Sequence, residues 1–292
     1  MEIKVIGCGN AFSYKNYNQS FLLEEDGRRM LIDCGTRVPI ALHDLGIDIK
    51  SIDDIYVSHQ HSDHCGGLEE MAFLRYDWAN HPISHKEGPV PYAPKLIANE
   101  KLLKDLWNTS LSGGLKSMEG FDATLDTYFI PKPIKANQTF IWQNWACSLI
   151  QQIHVMTGSV VMNTFGLFMK KEGHPSVFFT TDSQYFQPEQ VRYFYDSADL
   201  VFQDCELTGV DALHKTLKFK SGVHASYAQL AGWESVNAYK LGAKTKGKLY
   251  LSHYQDYKND GKDFFGNYVN WDALAKEDGF AGFISVGQTF EV

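Results

Sequence analysis

Four side chains able to hold a metal ion, His59, His61, Asp63 and His64, stand within six residues of one another in the stretch Val57-Ser-His-Gln-His-Ser-Asp-His-Cys-Gly-Gly67. The preceding apolar run, residues 55–57, reads as a buried strand. On an extended segment alternate residues share one face, so His59 and His61 can bind one ion. Asp63 and His64 then turn toward a second. Gly66 and Gly67 allow a tight backbone turn before residues 68–73, which have helical character. Imidazole nitrogens together with a carboxylate suit zinc first, with iron, manganese or nickel as alternatives.

Around this stretch, 292 residues of 44% hydrophobic and 14% aromatic content suffice to bury the core of one large α/β domain. A single domain over residues 1–292 is expected, with a loop-rich insertion at about 70–100. The formal net charge of −8 argues against stable nucleic-acid binding, because affinity for a phosphate backbone is built from Lys and Arg. A small anionic substrate remains compatible, since metal ions supply positive charge locally. Cys8, Cys34, Cys65, Cys147 and Cys205 are dispersed, with no CxxC pair, which suits a reducing cytoplasm. The chain opens as a strand, and no later run approaches membrane-spanning length, so no membrane association is expected.

In chain order, residues 3–6 read as a strand broken by Gly7-Cys-Gly-Asn10, a tight turn that lacks the third glycine and following helix of a nucleotide loop. Residues 20–24 and 30–33 form a hairpin around Glu25-Asp-Gly27, and residues 38–45 a helix stopped by Gly46. Residues 73–95 carry aromatics, two His and four Pro, and read as a loop able to cover a metal site. In that loop Tyr76 and Trp78 either pack on the protein or stack on a substrate base, and His81 and His85 are ordinary loop residues. A strand at 96–98 and an amphipathic helix at 100–111, stopped by Ser112-Gly-Gly114, precede strands near 127–130, 139–142 and 146–155. Further strands end at Asp182, near Asp204 and at His253. A helix at 271–276 and a hairpin at 282–292 around Gly287 close the chain.

The pattern His59-x-His61-x-Asp63-His64 after a strand resembles the signature of the metallo-β-lactamase superfamily, which implies an αββα sandwich with the site at one edge. That family asks for a third His, a bridging Asp after a strand, and a last His near the C-terminus. His154, in Gln151-Gln-Ile-His-Val-Met-Thr-Gly158, takes the place of the third and would join His59 and His61 on the first ion. The strand Met162-Asn-Thr-Phe-Gly-Leu-Phe-Met169 is similar to one in the tRNase Z branch that leads to the bridging Asp, supplied here by Asp182. His253, in Lys248-Leu-Tyr-Leu-Ser-His-Tyr-Gln255, would join Asp63 and His64 on the second ion. The resemblance implies that Asp63 serves as a catalytic carboxylate as well as a ligand. In Asp33-Cys-Gly35 the Asp matches a family residue that orients a metal-site His.

The same branch pairs a Glu with a later His that serves as proton donor. Here Gln203-Asp204 replaces its His-Glu, and Gly222-Val-His224 carries one extra residue, so the resemblance implies a dyad of Asp204 with His224, with Glu206 as a rival partner. Two ions about 3.5–4 Å apart suit in-line displacement at a phosphodiester. His224 would protonate the leaving alkoxide. The Gly/Pro-rich arm of tRNase Z has no counterpart between His154 and Asp182, which favours a small cyclic nucleotide over large RNA. The chain is similar to the cyclic-nucleotide phosphodiesterases of this branch and to the phage anti-Pycsar enzymes that destroy cyclic mononucleotide defence signals. The resemblance implies a homodimer, acting in a host cytoplasm, that converts a 3′,5′-cyclic mononucleotide to the 5′-monophosphate. The rivals are a tRNA 3′-end endonuclease of the tRNase Z type, a lactonase-type hydrolase that has no use for His224, and a non-catalytic binding module.

Overall fold

The computed structural model describes residues 1–80, 93–135, 138–184, 189–233 and 241–292. They form two compact units. The first comprises Met1–Gly7, Tyr17–Gln138 and Val286–Glu291, and the second Cys8–Asn16, Thr139–Ser285 and Val292. Each is built on one seven-stranded sheet.

In the first unit the strands run Thr289–Glu291, Glu2–Gly7, Ser20–Glu25, Arg28–Ile32, Asp54–Tyr56, Lys95–Asn99 and Ile130–Ile134 across the sheet. The hairpin between Ser20–Glu25 and Arg28–Ile32 turns at Asp26 (φ 50°) and Gly27 (φ 74°), the double positive φ that matches strand twist. From Arg28–Ile32 outward every pairing is parallel. The buried side chains of Asp54–Tyr56 fit a strand covered on both faces. The last strand carries Pro131 and Pro133, which an edge position tolerates because the missing N–H groups need not meet a neighbour.

In the second unit the order is Gly282–Phe283, Leu249–Ser252, Leu200–Asp204, Val177–Phe179, Val160–Lys170, Trp145–Thr157 and Thr139–Trp142. Val177–Phe179, Leu200–Asp204 and Leu249–Ser252 are mutually parallel. Their carboxyl ends therefore emerge along one edge, where the loops of an α/β sheet bind ligands.

Four local expectations are corrected. The helix after the histidine stretch runs over Leu68–Asn80, so the first third of the expected loop is helical. Its buried stripe is Leu68, Met71, Ala72 and Arg75, and the charged member hides the periodicity: the Arg75 guanidinium is buried and donates to the carbonyls of Ile49 (3.0 Å) and Ile52 (2.7 Å). Tyr76 packs edge-on against Tyr128 (ring centroids 5.4 Å). His81 and His85, like residues 81–92 as a whole, lie outside the described residues, as does the side chain of Trp78. Second, Ser112-Gly-Gly114 does not stop a helix: Glu100–Asp105 passes through a π-helical turn, Leu106–Leu111, into Ser112–Leu115. A Cβ at Gly114 would stand 2.2 Å from the Glu69 carboxylate, which would have to swing aside. Third, Leu125–Tyr128 is a helical turn closed by a Thr124/Thr127 capping box, and the strand begins at Ile130. Fourth, the C-terminal segments do not pair with each other. Gly282–Phe283 joins Leu249–Ser252 in parallel, whereas Thr289–Glu291 joins Glu2–Gly7 antiparallel. Among the described residues no helix is long and apolar enough to cross a membrane.

Candidate active site

In the first unit the parallel strands Arg28–Ile32 and Asp54–Tyr56 end side by side, and the residues just beyond them are Asp33, Ser58 and His59. Asp33 sits at φ 60°, a left-handed conformation that Asp tolerates better than most residues. Its buried carboxylate accepts from Ser58 N (2.7 Å), Ser58 Oγ (2.7 Å) and His64 Nδ1 (2.8 Å). Since the Ser58 hydroxyl proton is spent on Asp33, Ser58 Oγ accepts from His59 Nδ1 at 3.0 Å. One carboxylate thus fixes two imidazoles with the proton on Nδ1, which turns each Nε2 into the metal-competent atom.

The short helix Ser62–Cys65 carries Asp63 and His64. His64 Nε2 lies 3.4 Å from Asp63 Oδ2, and the His59 ring stands 4.8 Å from that of His61 and 4.2 Å from that of His64. The four expected donors of this unit are therefore together, although the strand ends at Tyr56 and alternation along it is not what joins His59 to His61. The approach of this helix to the Asp33 turn depends on Gly35, where a Cβ would meet the Asp63 carbonyl oxygen at 1.9 Å.

In the second unit, Asp182, Asp204 and His253 follow from the carboxyl ends of the three parallel strands. Thr181 (φ 54°) and His253 (φ 62°) are left-handed, a strained state for a β-branched residue that is kept only where the surroundings enforce it. His154 arises differently. Ile153 pairs with Asn163 and Val155 with Met162, so His154 is the extra residue of a β-bulge that re-aims its side chain. Asp182 stands between two imidazoles, with Oδ2 3.5 Å from His154 Nε2 and Oδ1 3.2 Å from His253 Nε2.

His154 donates from Nδ1 to the Val223 carbonyl at 2.9 Å. Burial, against the pull of Asp182, lowers its pKa to about 4, so it is a neutral donor at neutral pH. His224 donates from Nδ1 to Asp204 Oδ2 at 2.9 Å. Burial disfavours its charge, but Asp204 and Asp182 outweigh that and raise its pKa above the ordinary value. Glu206, the rival partner, is engaged elsewhere and accepts from Ser221 Oγ at 2.6 Å. Asp204 also lies 3.4 Å from His253 Nδ1 and accepts from Ser183 N, so it orients both a candidate ligand and a candidate acid. Asp182, Asp204, His224 and His253 offer ligand atoms within 4.8 Å of one another.

Several members of this arrangement escape the sequence. Ser58, the Val223 carbonyl and the contact of Asp204 with His253 have no motif of their own; only the position of Ser58 next to His59 hints at its role. A cavity of about 500 Å³ opens beside His224 and His253, lined in part by Asn10, Phe12, Tyr257 and Phe264. The turn after Gly7 therefore contributes to the site's surroundings, beyond breaking a strand.

Comparison with known proteins identifies the fold and the family. The metallo-β-lactamase fold protein YhfI from Bacillus subtilis superposes with a TM-score of 0.68 at 18% identity, over 100% of this chain and 99% of that chain. Human tRNase Z, short form, does so with a TM-score of 0.63 at 16% identity, over 100% and 99%. The fold is the metallo-β-lactamase fold, as the histidine pattern leads one to expect. An anti-Pycsar protein Apyc1 of Bacillus phage vB_BveM-Goe7 is 33% identical over 262 residues, 87% of this chain and 89% of that protein. The family model described as anti-Pycsar protein Apyc1 matches residues 1–290, and the chain belongs to that family.

Proposed function

We propose that this chain is a metal-dependent phosphodiesterase that opens a 3′,5′-cyclic mononucleotide to the 5′-monophosphate, and so removes a cyclic nucleotide immune signal in the cytoplasm of a host. The observation that carries the reading is His224, tied at Nδ1 to buried Asp204, near Asp182, and lining with His253 a cavity of about 500 Å³. Phosphodiester hydrolysis needs such a proton donor for an alkoxide leaving group.

The donor set fits divalent metal. His59, His64 and His154 are held through Nδ1 by a hydroxyl, a carboxylate and a carbonyl respectively, the arrangement that orients metal-binding histidines. His59, His61 and His154 would hold one ion, Asp63, His64 and His253 a second, and Asp182 would serve both. Zinc suits these ligands first, with manganese or iron as alternatives. When bound, the ions supply Lewis acidity to the phosphate oxygens and to the attacking water.

The protein's own residues do the rest. Water attacks phosphorus, the P–O3′ bond breaks, His224 passes its Nε2 proton to the departing O3′, and the proton lost by the water passes to solvent as the 5′-phosphate forms. Asp204 keeps Nδ1 protonated, so that Nε2 is the atom that donates, and stabilises the imidazolium before transfer. The active form is expected to be a homodimer, in keeping with the family resemblance. Product analysis on a panel of 3′,5′-cyclic nucleotides tests the reading: 5′-monophosphate should form. Cleavage of a tRNA 3′ trailer or of a lactone, with cyclic nucleotides untouched, would overturn it.

A further inference from the structure

Phe12 is 82% exposed, yet the segment that carries it is held firmly. The Asp256 carboxylate accepts from Ser13 Oγ, from Tyr14 N (2.6 Å), from Lys15 N (2.9 Å) and from Asn16 Nδ2 (2.8 Å). Asn10 Oδ1 accepts from Phe12 N (3.1 Å), Asn10 N donates to the Tyr254 carbonyl (3.3 Å), and Cys8 N donates to the Asn16 carbonyl (2.9 Å). An aromatic ring in water at the tip of a loop fixed in this way marks a binding element, because a solvated ring has no need of a preorganised support.

Phe12 lines the same cavity as His224 and His253, and so does Phe264, 41% exposed. Phe264 is steadied by edge-to-face contacts with Phe219 (5.2 Å) and Tyr257 (6.4 Å). The polar remainder of the lining carries no Lys or Arg: neutral Asn10, Thr208, Ser221 and Gln255 stand beside two carboxylates, Glu206, tied to Ser221, and Asp256, spent on the loop. A lining of this kind, aromatic and without Lys or Arg, suits an uncharged ring better than a phosphate.

We infer that Phe12 and Phe264 are substrate-positioning residues, whose faces stack on the nucleobase of the cyclic nucleotide while its phosphodiester lies at His224. This rests on the proposed phosphodiesterase activity. A cavity of about 500 Å³ lies within the range of about 300–1,000 Å³ usual for small-ligand sites. Stacking on an aromatic side chain acts on ground state and transition state alike, so it lowers KM and leaves kcat nearly constant.

The test uses the full-length, metal-loaded protein with two substrates, a 3′,5′-cyclic nucleotide and the methyl riboside 3′,5′-cyclic phosphate that lacks a base. Phe12→Ala and Phe264→Ala should each raise KM for the cyclic nucleotide about 5- to 150-fold, the usual worth of one base stack. Each should also narrow the preference of the enzyme for the nucleotide over the abasic compound, and Phe12→Tyr should restore what Phe12→Leu does not. An unchanged KM in variants of an enzyme that does hydrolyse cyclic nucleotides overturns this inference alone. A Phe12→Ala variant that changes oligomeric mass with KM intact also overturns it, and makes Phe12 an interface residue. A wild-type protein inert toward every cyclic nucleotide overturns this inference together with the proposed activity.

Discussion

Replacing Asp33 by Asn removes one charge, keeps the size of the side chain, and sets a hydrogen-bond donor against other donors. The carboxylate receives three of them, Ser58 N at one oxygen and Ser58 Oγ with His64 Nδ1 at the other. An amide has one acceptor oxygen, so in either orientation its NH₂ must face a buried donor. If NH₂ faces His64, that ring keeps its bond only by moving its own proton to Nε2, the atom a metal needs. If NH₂ faces Ser58 N, a backbone donor that cannot turn away is left opposed. The disturbance reaches His59, whose Nδ1 bond runs through the same Ser58 hydroxyl. Loss of such a supporting carboxylate weakens metal binding by about 10- to 100-fold, or about 1.4–2.7 kcal/mol. The apo protein should lose about 1–3 kcal/mol for the unsatisfied pair. Asn adopts the φ of 60° found at Asp33 as readily as Asp does, which keeps the backbone out of the comparison, whereas Ala would add about 1–2 kcal/mol of left-handed strain. Competition titration against a chelator measures the affinity, and thermal melting of the stripped protein measures the second term. Metal affinity within twofold of wild type in Asp33→Asn would refute the claim that this carboxylate sets the tautomers of His59 and His64.

Asp182, whose two oxygens lie 3.5 Å from His154 and 3.2 Å from His253, is assigned to both ions, so elemental analysis should find two ions per wild-type chain and Asp182→Ala should lose metal and activity together; at most one ion in an active chain counts against a binuclear site. His224→Ala should keep its metal and slow cyclic nucleotide hydrolysis by about 10²- to 10⁴-fold, the usual worth of general acid catalysis. It should be far less impaired on bis-p-nitrophenyl phosphate, whose leaving group departs without a proton, and equal losses on both substrates would remove His224 from the role of acid. Gly35→Ala, with its new methyl 1.9 Å from the Asp63 carbonyl, should destabilise by at least about 1–3 kcal/mol. Gly113→Ala, with nothing within 4 Å and a helical site, should be neutral or stabilise by up to about 1 kcal/mol, and similar melting temperatures for the two variants would contradict the close approach at Gly35.

The donors of the first unit are legible in the sequence because they lie in one short stretch, and Asp182 and His253 because each follows a strand that can be read from its apolar residues, whereas His154 lies within such a strand. What holds those donors is not legible. Ser58 and the second contact of Asp204 lie at the ends of parallel strands, whose order is set by crossovers that leave no local mark, and the Val223 carbonyl comes from an irregular segment after the small antiparallel pair at Thr216–Leu217. The same reasoning covers residues 282–292. Gly287 signals a turn, but nothing nearby says that the segments on either side of it choose different partners. Arg75 misleads for another reason: a buried guanidinium that satisfies two backbone carbonyls interrupts an apolar stripe that a Leu or Met would have continued. Phe12 gives no signal beyond being an aromatic residue after a glycine-rich turn, since its support comes from Asp256, far along the chain.

The pairing of Glu2 with Glu291 sets the order in which this protein can be assembled during synthesis. A ribosome extrudes Glu2–Gly7 first, and that strand finds Ser20–Glu25 on one side almost at once, since the connection is short. Its other side has no partner in the sheet until Thr289–Glu291 has been made, so while the intervening residues are synthesised it is the open rim of a growing sheet. Such a rim invites pairing with another nascent chain. Glu2 and Lys4 lie on this strand, and charged side chains on an open rim are a common deterrent to strand addition.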